Sequence, residues 1–387
     1  MRVGIVGAGQ LARMLLEAAS ALGIEVVLLA ESDEDAAALS AARVLLGAPS
    51  DPEALSALAR AVDVVTFDHE LVNLDALAAL EAEGHVIRPS PAALLYAVDK
   101  AEMRLLCARE GLPGARSMVL SPDETFDAAR VLEELGLPLV IKTARGGYDG
   151  RGVFVVDDMT AAERVIHGIQ ATGTAVLLEE RASIIRELAC LVVRRPNGEM
   201  ETWETVETAQ LEGVCREVLV PGTFDEALAT EASGLARRVA ELIGLVGIMA
   251  VELFETTQGL AINELALRPH NSGHWTQDGS ITSQFENHLR AVLDLPLGQT
   301  ARRAPAVAMV NVFGGPPGTP GPEELLGHAL EVPGAHLHLY AKAPRPGRKL
   351  GHVTVTGDNV GEARRLAWHA ASALGTPVPE EIGVKVP

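Results

Sequence analysis

Two glutamates in neighbouring apolar segments are the clearest candidates for metal chemistry. Glu252 lies in AVELF and Glu264 in AINEL, and a short TTQ turn joins the two segments. Their even separation across that turn predicts that both carboxylates lie on one face of a hairpin. Nearby carboxylates repel each other, so a site that keeps both ionised needs a cation, and oxygen ligands favour Mg²⁺ or Mn²⁺ held against phosphates. The plainer interpretation, exposed strand glutamates, fits these apolar surroundings poorly.

A glycine-rich loop, KTARGGYDGRG at 142–152, predicts a flexible lid over phosphates. Lys142 lies on the preceding strand, and glycines let backbone N–H groups approach phosphate oxygens closely. A simple hairpin turn would need only two or three residues, whereas this loop also carries Arg145, Tyr148, Asp149 and Arg151. The loop therefore indicates a phosphate-bearing ligand.

Another glycine turn, GAGQLA at 7–12, follows the first strand and opens a helix. It matches the beginning of a dinucleotide-binding turn, and Glu31 stands at the end of the second strand, where a ribose-binding acid would lie. An NAD-dependent oxidoreductase is thus one alternative. Many doubly wound domains use the same turn for other phosphates or for packing alone, so this alternative depends on one weak motif.

Acidic residues in LLEERASIIRELA, at 177–189, indicate a nucleoside site. Glu179 and Glu180 end one strand and Glu187 begins the next. Such acids can hold an adenine amino group and ribose hydroxyls while the backbone at 180–182 meets the base edge. A charged surface turn is an equally good interpretation of this segment by itself.

Two polar clusters predict anion binding. The segment RPHNSGHWTQDGS, at 268–280, follows the glutamate pair and offers donors for a small anion and a transferring phosphoryl group: Arg268, His270, Asn271, Ser272 and His274. The segment KAPRPGRKLGH gathers four cations within eight residues of an acidic protein: Lys342, Arg345, Arg348 and Lys349. A local cationic pocket of this kind suits a substrate phosphate.

The composition limits the possible classes of protein. A length of 387 residues predicts two or three domains. A net charge of −20 disfavours nucleic acid as a partner. We expect no membrane span, because no apolar run approaches ~18 residues, and no secretory signal, because the N-terminus reads at once as a strand. Three scattered cysteines, Cys107, Cys190 and Cys215, fit free thiols in a reducing cytoplasm.

Hydrophobic periodicity predicts a parallel α/β unit followed by mixed α+β structure. The first hundred residues alternate strands at 2–7, 25–30, 63–67 and 85–89 with helices at 11–23, 51–61 and 73–83. A helix from about 99 to 110 leads into the mixed part, with strands at 137–144, 152–158, 174–180, 187–195, 247–255 and 259–266 and helices at 160–171 and 224–244. A hairpin over 336–357 and a helix at 361–373 follow.

Together these motifs resemble the ATP-grasp superfamily, and within it the 5-(carboxyamino)imidazole ribonucleotide synthase (PurK) family. GAGQLARM, TFDHELVN, KTARGGYDGRG, NELALRPHNSGHWTQ and RPGRKLGH occur in that family's order. The resemblance implies an ATP-grasp fold with three parts: a Rossmann-like pre-ATP-grasp domain at 1–98, an ATP-grasp domain at 99–300 with a lid subdomain at about 115–180, and a small C-terminal domain at 301–387.

The resemblance also implies an activity. It is the carboxylation of 5-aminoimidazole ribonucleotide with ATP, Mg²⁺ (or Mn²⁺) and bicarbonate, through carboxyphosphate, in purine biosynthesis. A cytoplasmic homodimer is the expected form. Other ATP-grasp ligases, such as formate-using or biotin-carboxylase-like members, would share the nucleotide part but are not expected to carry both HNSGHWTQ and RPGRK. A non-catalytic nucleotide sensor is a third alternative, and the retained glutamates count against it.

Site residues follow from the same resemblance. Residues implied to bind ATP are Lys100, Lys142, Gly147, Tyr148, Asp149, Gly150, Arg151, Gly152, Val153, Glu179, Glu180, Arg181, Ala182, Glu187, Gln210, Asn263 and Glu264. Residues implied to bind the ribonucleotide are Gln10, Leu11, Glu70, Lys342, Arg345, Arg348 and Lys349. Glu252 and Glu264 would hold the metal, and the implied catalytic residues are Tyr148, Asp149, Arg151, Arg268, His270 and Asn271.

Four positions depart from the usual family pattern. Leu267 replaces a proline, Gln210 a histidine, Asp68 a glutamate and Lys100 an arginine. The last change keeps the charge but loses the planar fork. None of the four removes an implied metal ligand, so we expect an active enzyme.

Overall fold

A parallel sheet with helices on both faces forms the N-terminal part of the chain. The computed structural model describes residues 1–147 and 152–385. In the first of these ranges, four parallel strands are ordered β3-β2-β1-β4: β1 (Arg2–Val6), β2 (Glu25–Ala30), β3 (Val44–Leu46) and β4 (Val64–Phe67). The accompanying helices are α1 (Gln10–Ala21), α2 (Pro52–Ala61), α3 (Leu74–Ala82), α4 (Pro91–Val98) and α5 (Lys100–Glu110). The predicted parallel α/β unit is confirmed.

Alternation along the buried strands explains why both faces are covered. On β1, Val6 packs in a core with Leu55 and Leu58 of α2, while Ile5 packs in a second core with Leu15 of α1. The second core also includes Phe285, from a helix much later in the chain. The N-terminal sheet is therefore built partly against a helix of the following domain.

A separate antiparallel sheet carries the glycine-rich loop. Its described strands are ordered β5-β8-β6-β7: β5 (Ser117–Leu120), β6 (Leu139–Thr143), β7 (Val153–Val156) and β8 (Val176–Glu180). Two helices pack on it, α6 (Ala128–Glu134) and α7 (Met159–Gln170). The loop joins β6 to β7, two adjacent antiparallel strands.

A large sheet joins the rest of the chain into one hydrogen-bonded layer. Its described strands run β14-β13-β9-β11-β12-β15-β17-β16, with β10 beside β9. They are β9 (Ile184–Arg194), β10 (Met200–Thr202), β11 (Val206–Leu211), β12 (Val214–Val220), β13 (Gly247–Thr256), β14 (Gly259–Ala266), β15 (Ala306–Phe313), β16 (Ala335–Leu339) and β17 (Lys349–Gly357). The helices are α8 (Glu226–Leu242), α9 (Thr276–Gly279), α10 (Gln284–Val292), α11 (Pro322–Leu330) and α12 (Val360–Ala373).

The predicted elements agree with the structure except in a few places. The prediction of a strand at 85–89 is wrong, because this segment forms only a single bridge, between Val65 and Ile87. Pro89 has no N–H to extend that ladder. The short strands β3 and β10 and the strands β5, β11, β12 and β15 were not predicted. The hairpin of β16 and β17 and the final helix are confirmed.

Two buried polar contacts tie the parts together. His288 on α10 contacts Thr66 Oγ1 of β4 through Nε2 at 2.7 Å and accepts from the Ile248 N–H of β13 through Nδ1 at 3.1 Å. In the C-terminal part, the Arg364 guanidinium donates to both oxygens of Glu217 at 2.5–3.0 Å, and Trp368 Nε1 donates to the same carboxylate at 2.7 Å.

The Glu217 contact yields a stability prediction. The Glu217 side chain is only 2% exposed, so Arg364→Met would leave a buried carboxylate without its cation. We expect the free energy of unfolding to fall by about 3 kcal/mol, measured by urea unfolding followed by circular dichroism. Arg130→Met is the control, because the Arg130–Glu134 pair is exposed and should contribute less than about 0.5 kcal/mol. Equal effects of the two substitutions would contradict this prediction.

Candidate active site

A cavity of about 970 Å³ lies where the glycine-loop sheet meets the large sheet. It collects most of the residues that the sequence assigned to ATP. Those that line it are Lys100, Lys142, Gly147, Val153, Glu179, Glu180, Arg181, Ala182, Glu187, Gln210, Asn263 and Glu264. Glu252, assigned to the metal, lines it as well, whereas Gly152, also assigned to ATP, is not among the described lining residues. Tyr148, Asp149, Gly150 and Arg151, also predicted here, lie outside the described residues. The geometry thus joins the glycine loop, the acidic segment and the glutamate pair into one site.

Gly152 shows why the loop ends in a glycine. Its φ of +75° lies in the left-handed region, and a Cβ there would come within 2.5 Å of Thr143 Oγ1. At the other described end, the Lys100 ammonium donates to the Gly147 carbonyl at 3.3 Å. Arg145, in the first half of the loop, pairs with Asp99 at 2.7 Å. Lys100 and Asp99 thus hold the first part of the loop, and the Thr143 N–H donates to the Gly152 carbonyl at 3.0 Å at its end.

A one-residue bulge places the two glutamates side by side. Thr256 pairs with Gly259, which leaves a two-residue turn instead of the predicted three-residue one. In that register, Glu252 and Glu264 would point to opposite faces. The register shifts between Glu252 and Leu253, so that Asn263 is the extra residue and Glu252 pairs directly with Glu264. The prediction that both lie on one face is confirmed, but the bulge is its cause.

The two carboxylates differ in their surroundings. Partial burial raises the Glu264 pKa, and the neighbouring Glu252 carboxylate raises it further. Burial would likewise raise the Glu252 pKa, but His270 holds it below its usual value through a hydrogen bond and through electrostatic attraction. His270 Nε2 lies 3.2 Å from Glu252 Oε1. Lys100 Nζ lies 3.7 Å from Glu264 Oε2, whose side chain is 44% exposed.

The donor chemistry of this pair fits Mg²⁺. In residues 1–147 and 152–385, no group of three or more His, Cys, Asp and Glu side chains is arranged to hold a metal. Two carboxylates are present at Glu252 and Glu264, and Mg²⁺ is commonly held by one or two carboxylates together with substrate phosphates. The pair therefore suits a metal that arrives with a nucleotide better than a permanently bound one.

A buried ion-pair network positions Lys142. Glu179 Oε2 accepts from Lys142 Nζ at 2.7 Å, and Glu179 Oε1 contacts Arg104 Nε. Burial would raise the Glu179 pKa, but Arg104 and Lys142 together hold it below its usual value. The Glu179 side chain is 4% exposed, so its carboxylate serves these two cations. Glu180, in contrast, reaches outward to Arg116, with Nε–Oε2 at 2.7 Å.

A second cavity of about 570 Å³ receives the first glycine turn and the cationic segment. Gln10, Leu11, Lys342, Arg348 and Lys349 line it, as predicted for the ribonucleotide site. Lys342 Nζ donates to Gln10 Oε1 at 2.5 Å. Among the described residues, Arg345 and Glu70 lie outside the lining of this cavity. Glu70 lines the first cavity instead, together with Lys349, and Arg345 is not among the described lining residues of either cavity.

The first glycine turn is closed by a carboxylate of the chain itself. Asp68 accepts from the backbone N–H groups of Gly9, at 2.5 Å, and Ala12, at 3.1 Å, at the N-terminus of α1. A dinucleotide pyrophosphate would occupy this same helix end. The structure thus argues against the NAD alternative, and it gives the unusual Asp68 a structural role.

The two cavities share four lining residues: Arg268, His270, Asn271 and Lys349. Glu70 holds the first of these, since its carboxylate accepts from Arg268 Nε at 2.6 Å and from the Leu267 N–H at 3.2 Å. Asn271 Nδ2 is buried with no hydrogen-bond partner among the described residues. The junction therefore presents a cation and an available amide donor to both cavities.

Ser272 and His274 support the junction instead of binding an anion. Ser272 is buried, and its Oγ lies 2.8 Å from His270 Nδ1, which fixes that ring. His274 is 1% exposed and stacks on His352, with ring centroids 4.8 Å apart. Burial, followed by nearby cationic groups, lowers the His274 pKa well below its ordinary value, so the ring is neutral.

Sequence reasoning missed Arg104, Tyr340 and His352. Arg104 is one of many arginines in the chain and lies in no glycine loop or polar cluster. Tyr340 Oη and His352 Nδ1 are 2.8 Å apart, and Tyr340 lines the second cavity. Period-two alternation in the 336–357 hairpin was a signal for the inward direction of His352.

The sheets and the two cavities define a protein of the ATP-grasp class. Family models agree along most of the chain. Residues 1–98 match the ribonucleotide synthetase preATP-grasp domain, residues 105–285 the ATP-grasp domain, and residues 307–366 the phosphoribosylaminoimidazole carboxylase C-terminal domain. The predicted fold class is confirmed.

Individual relatives identify the family within the ATP-grasp class. An N5-carboxyaminoimidazole ribonucleotide synthase from Mycobacterium tuberculosis is 46% identical over 378 residues, which cover 96% of this chain and 87% of the relative. The crystal structure of the synthetase from Thermus thermophilus is 36% identical, with a TM-score of 0.86, and the match covers 97% and 99% of the two chains. The chain belongs to the N5-carboxyaminoimidazole ribonucleotide synthase family, which confirms the resemblance.

A liganded relative shares the architecture. The crystal structure of N5-carboxyaminoimidazole synthase from Aspergillus clavatus, in complex with ADP and 5-aminoimidazole ribonucleotide, is 33% identical with a TM-score of 0.84. The match covers 97% of this chain and 98% of that one. Across the described residues, the helices are all too short or too polar to cross a membrane.

Glu187, in the nucleotide cavity, yields a prediction about pH. Burial, and then the Glu252 carboxylate, raise its pKa to about 7 from an ordinary 4.5. The folded chain therefore holds this proton more tightly than the unfolded chain. The stability that results is fully present below pH about 4.5 and is lost as the pH rises through about 7.

We expect Glu187→Gln to unfold at a higher urea concentration than the wild type above pH about 7, and the difference to shrink as the pH falls to about 4.5. Urea midpoints measured across that pH range provide the comparison. Glu231→Gln, on the exposed side of α8, is the control and should show no such trend. A difference for Glu187→Gln that is constant with pH would contradict the prediction.

Proposed function

We propose that this chain carboxylates 5-aminoimidazole ribonucleotide, using ATP and bicarbonate, to N5-carboxyaminoimidazole ribonucleotide, ADP and phosphate. The observation that carries the proposal is the junction: Arg268, His270, Asn271 and Lys349 line both the nucleotide cavity and the second cavity. An intermediate made at the phosphate end of one cavity can therefore meet a substrate held in the other. The family membership supports the same chemistry.

ATP would occupy the larger cavity. Lys142, oriented by Glu179, and Lys100, beside Glu264, supply positive charge for the phosphates. Val153 and Val155 provide apolar surface for the base, and the segment 180–182 lies along the same wall. Phosphoryl transfer depends mainly on such positioning and charge stabilisation, so these contacts account for much of the expected catalysis.

Glu252 and Glu264 would hold Mg²⁺ (or Mn²⁺). Held by these two carboxylates, the ion would supply positive charge against the negative charge that develops during phosphoryl transfer. His270 and Asn263 keep Glu252 oriented, with Asn263 Nδ2 3.5 Å from Glu252 Oε2. The bulge at Asn263 therefore serves the proposed metal pair and the adjacent cavity together.

The first chemical step forms carboxyphosphate. A bicarbonate oxygen attacks the γ-phosphorus of ATP, the bond from that phosphorus to the β,γ-bridging oxygen breaks, and ADP leaves. Arg268, fixed by Glu70, would stabilise the transferring phosphoryl group, and the unpartnered Asn271 amide would donate to the carboxyl fragment beside His270. Closure of the glycine loop would limit hydrolysis of this intermediate.

The second step transfers the carboxyl group. Carboxyphosphate breaks down to CO₂ and phosphate, and the exocyclic amine of the ribonucleotide attacks the carbon of CO₂. The amine loses one proton as the N–C bond forms. We assign Asp149 to assist that proton transfer, with Tyr148 and Arg151 near the aminoimidazole ring, and the second cavity to the ribose phosphate.

Two wider expectations belong to the same proposal. A homodimer is expected from the family resemblance. A cytoplasmic location is supported by Cys107, Cys190 and Cys215, which are free thiols in the structure.

The first test is ADP release by purified protein with MgATP and bicarbonate, with and without 5-aminoimidazole ribonucleotide. We expect the ribonucleotide to raise ADP release at least about tenfold, because the acceptor draws the intermediate forward. Formate in place of bicarbonate is the control for a different ATP-grasp ligase. ADP release that ignores the ribonucleotide would overturn the proposed acceptor.

The second cavity can be tested with two neighbouring arginines. Arg348→Ala should raise KM for the ribonucleotide about tenfold or more with little change in KM for ATP, because it removes a phosphate contact from one cavity. Arg345→Ala is the matched control: this exposed side chain lies outside the lining of either cavity within the described residues. Equal effects on both substrates, or equal effects of both variants, would exclude the proposed phosphate site.

A further inference from the structure

All three nitrogens of the Arg104 guanidinium contact other groups of the protein. It lies on α5 with its side chain 4% exposed, and each of its three nitrogens has a partner. Nε contacts Glu179 of β8, Nη1 donates to the Ile262 carbonyl at 2.6 Å, and Nη2 donates to the Asn263 carbonyl at 3.1 Å. One side chain thus links a helix to two different sheets.

The two carbonyls belong to the bulge between the metal glutamates. Asn263 is the extra residue that rotates Glu264 onto the face of Glu252, and Ile262 precedes it. A bulge interrupts the ladder, so its backbone groups need partners from elsewhere. The Ile262 N–H donates to the Pro113 carbonyl at 3.0 Å, and Arg104 satisfies the two oxygens.

The third contact reaches the phosphate-binding lysine. Glu179, held by Arg104 at one oxygen, holds Lys142 by the other at 2.7 Å. Lys142 Nζ in turn lies 3.4 Å from Asn263 Oδ1, so the chain of contacts from Arg104 through Glu179 and Lys142 returns to the bulge residue. The same guanidinium therefore fixes the carboxylate pair and the lysine relative to each other.

We propose that Arg104 is a positioning residue for metal-dependent nucleotide binding: its fork holds the β14 bulge and thereby sets Glu264 beside Glu252. The inference deepens the proposed function and rests on its metal pair. Arg104 lines the nucleotide cavity, but each of its three guanidinium nitrogens is engaged by the protein, so it acts through other residues. A lysine could keep the charge beside Glu179 but could not reach two carbonyls as well, because it lacks the planar fork.

The test compares ADP affinity with and without Mg²⁺ by isothermal titration calorimetry. In Arg104→Lys, we expect the gain in ADP affinity that Mg²⁺ provides to fall about 10- to 100-fold, the usual effect of removing an outer-shell partner of a metal site. ADP affinity without Mg²⁺ should stay close to the wild-type value, because the charge beside Glu179 and Lys142 remains. A loss that is equal with and without Mg²⁺ would overturn the inference.

Two further variants separate positioning from folding. Arg364→Lys makes the same change at an arginine whose partner, Glu217, is likewise a buried carboxylate, and neither residue is among those that line the cavities. It should leave the Mg²⁺-dependent gain unchanged. If Arg104→Lys does not fold, Arg104→Met with Glu179→Gln removes both buried charges, while the new amide oxygen can still accept from Lys142. This double variant should fold and should lose the Mg²⁺-dependent gain, and a full wild-type gain would overturn the inference.

The outcome also distinguishes this inference from the proposed function. The measurement needs only ADP and Mg²⁺, so it does not depend on the ribonucleotide or bicarbonate. If Mg²⁺ raises the ADP affinity of the wild type and of Arg104→Lys equally, the role of Arg104 is overturned but the metal pair is not. A wild-type protein that gains nothing from Mg²⁺ overturns the metal pair and the role of Arg104 together.

Discussion

The arrangement of the site depends on one electrostatic constraint, the repulsion between two carboxylates on adjacent strands. Glu252 and Glu264 are cross-strand partners, a position where like charges are unfavourable. Positive charge and hydrogen-bond donors from three different elements offset this repulsion. They are Lys100 from α5, Asn263 from the bulge and His270 from the segment after β14. A divalent cation bound between the carboxylates would relieve the remaining repulsion, and that relief would add to its affinity.

The same constraint explains why the site draws on so many parts of the chain. The two glutamate strands, β13 and β14, belong to the large sheet, and Lys142 belongs to the glycine-loop sheet. The carboxylate that holds Arg268 comes from the N-terminal part, at Glu70. Direct hydrogen bonds join these parts, and His288 links β4 to β13 behind the site. The N-terminal sheet therefore takes part in the geometry of the nucleotide cavity, although its own glycine turn faces the second cavity.

Local patterns in the sequence predicted most of the secondary structure, and the family resemblance predicted most of the residues that gather in the two cavities. Period-two and helical patterns identify the long elements because burial imposes those periods. The prediction that Glu264 lies on the same face as Glu252 was correct, but the reason given for it was wrong. The turn length alone would place Glu264 on the opposite face. The bulge that corrects this is held by Arg104, about 160 residues earlier in the chain. Such long-range contacts leave no periodic trace.

Other details were beyond the sequence for the same physical reason. The Glu179 carboxylate faces Arg104 and Lys142, and Asp68 fills the N-terminus of α1, and both facts depend on tertiary contacts. Arg345 and Arg348 are indistinguishable in a cationic segment, yet only the second lines a cavity, because the 345–348 turn directs the two side chains differently. The domain boundaries and individual ligand contacts remain predictions.

The order of strands in the large sheet bears on how the chain is made. Strand β12 pairs on one edge with β15, which begins at Ala306, almost ninety residues later than the end of β12 at Val220. During synthesis, the nucleotide-binding half therefore leaves the ribosome with an open strand edge. Only the arrival of the last strands closes that edge, so removing the C-terminal segment would leave an aggregation-prone fragment instead of a smaller nucleotide-binding protein.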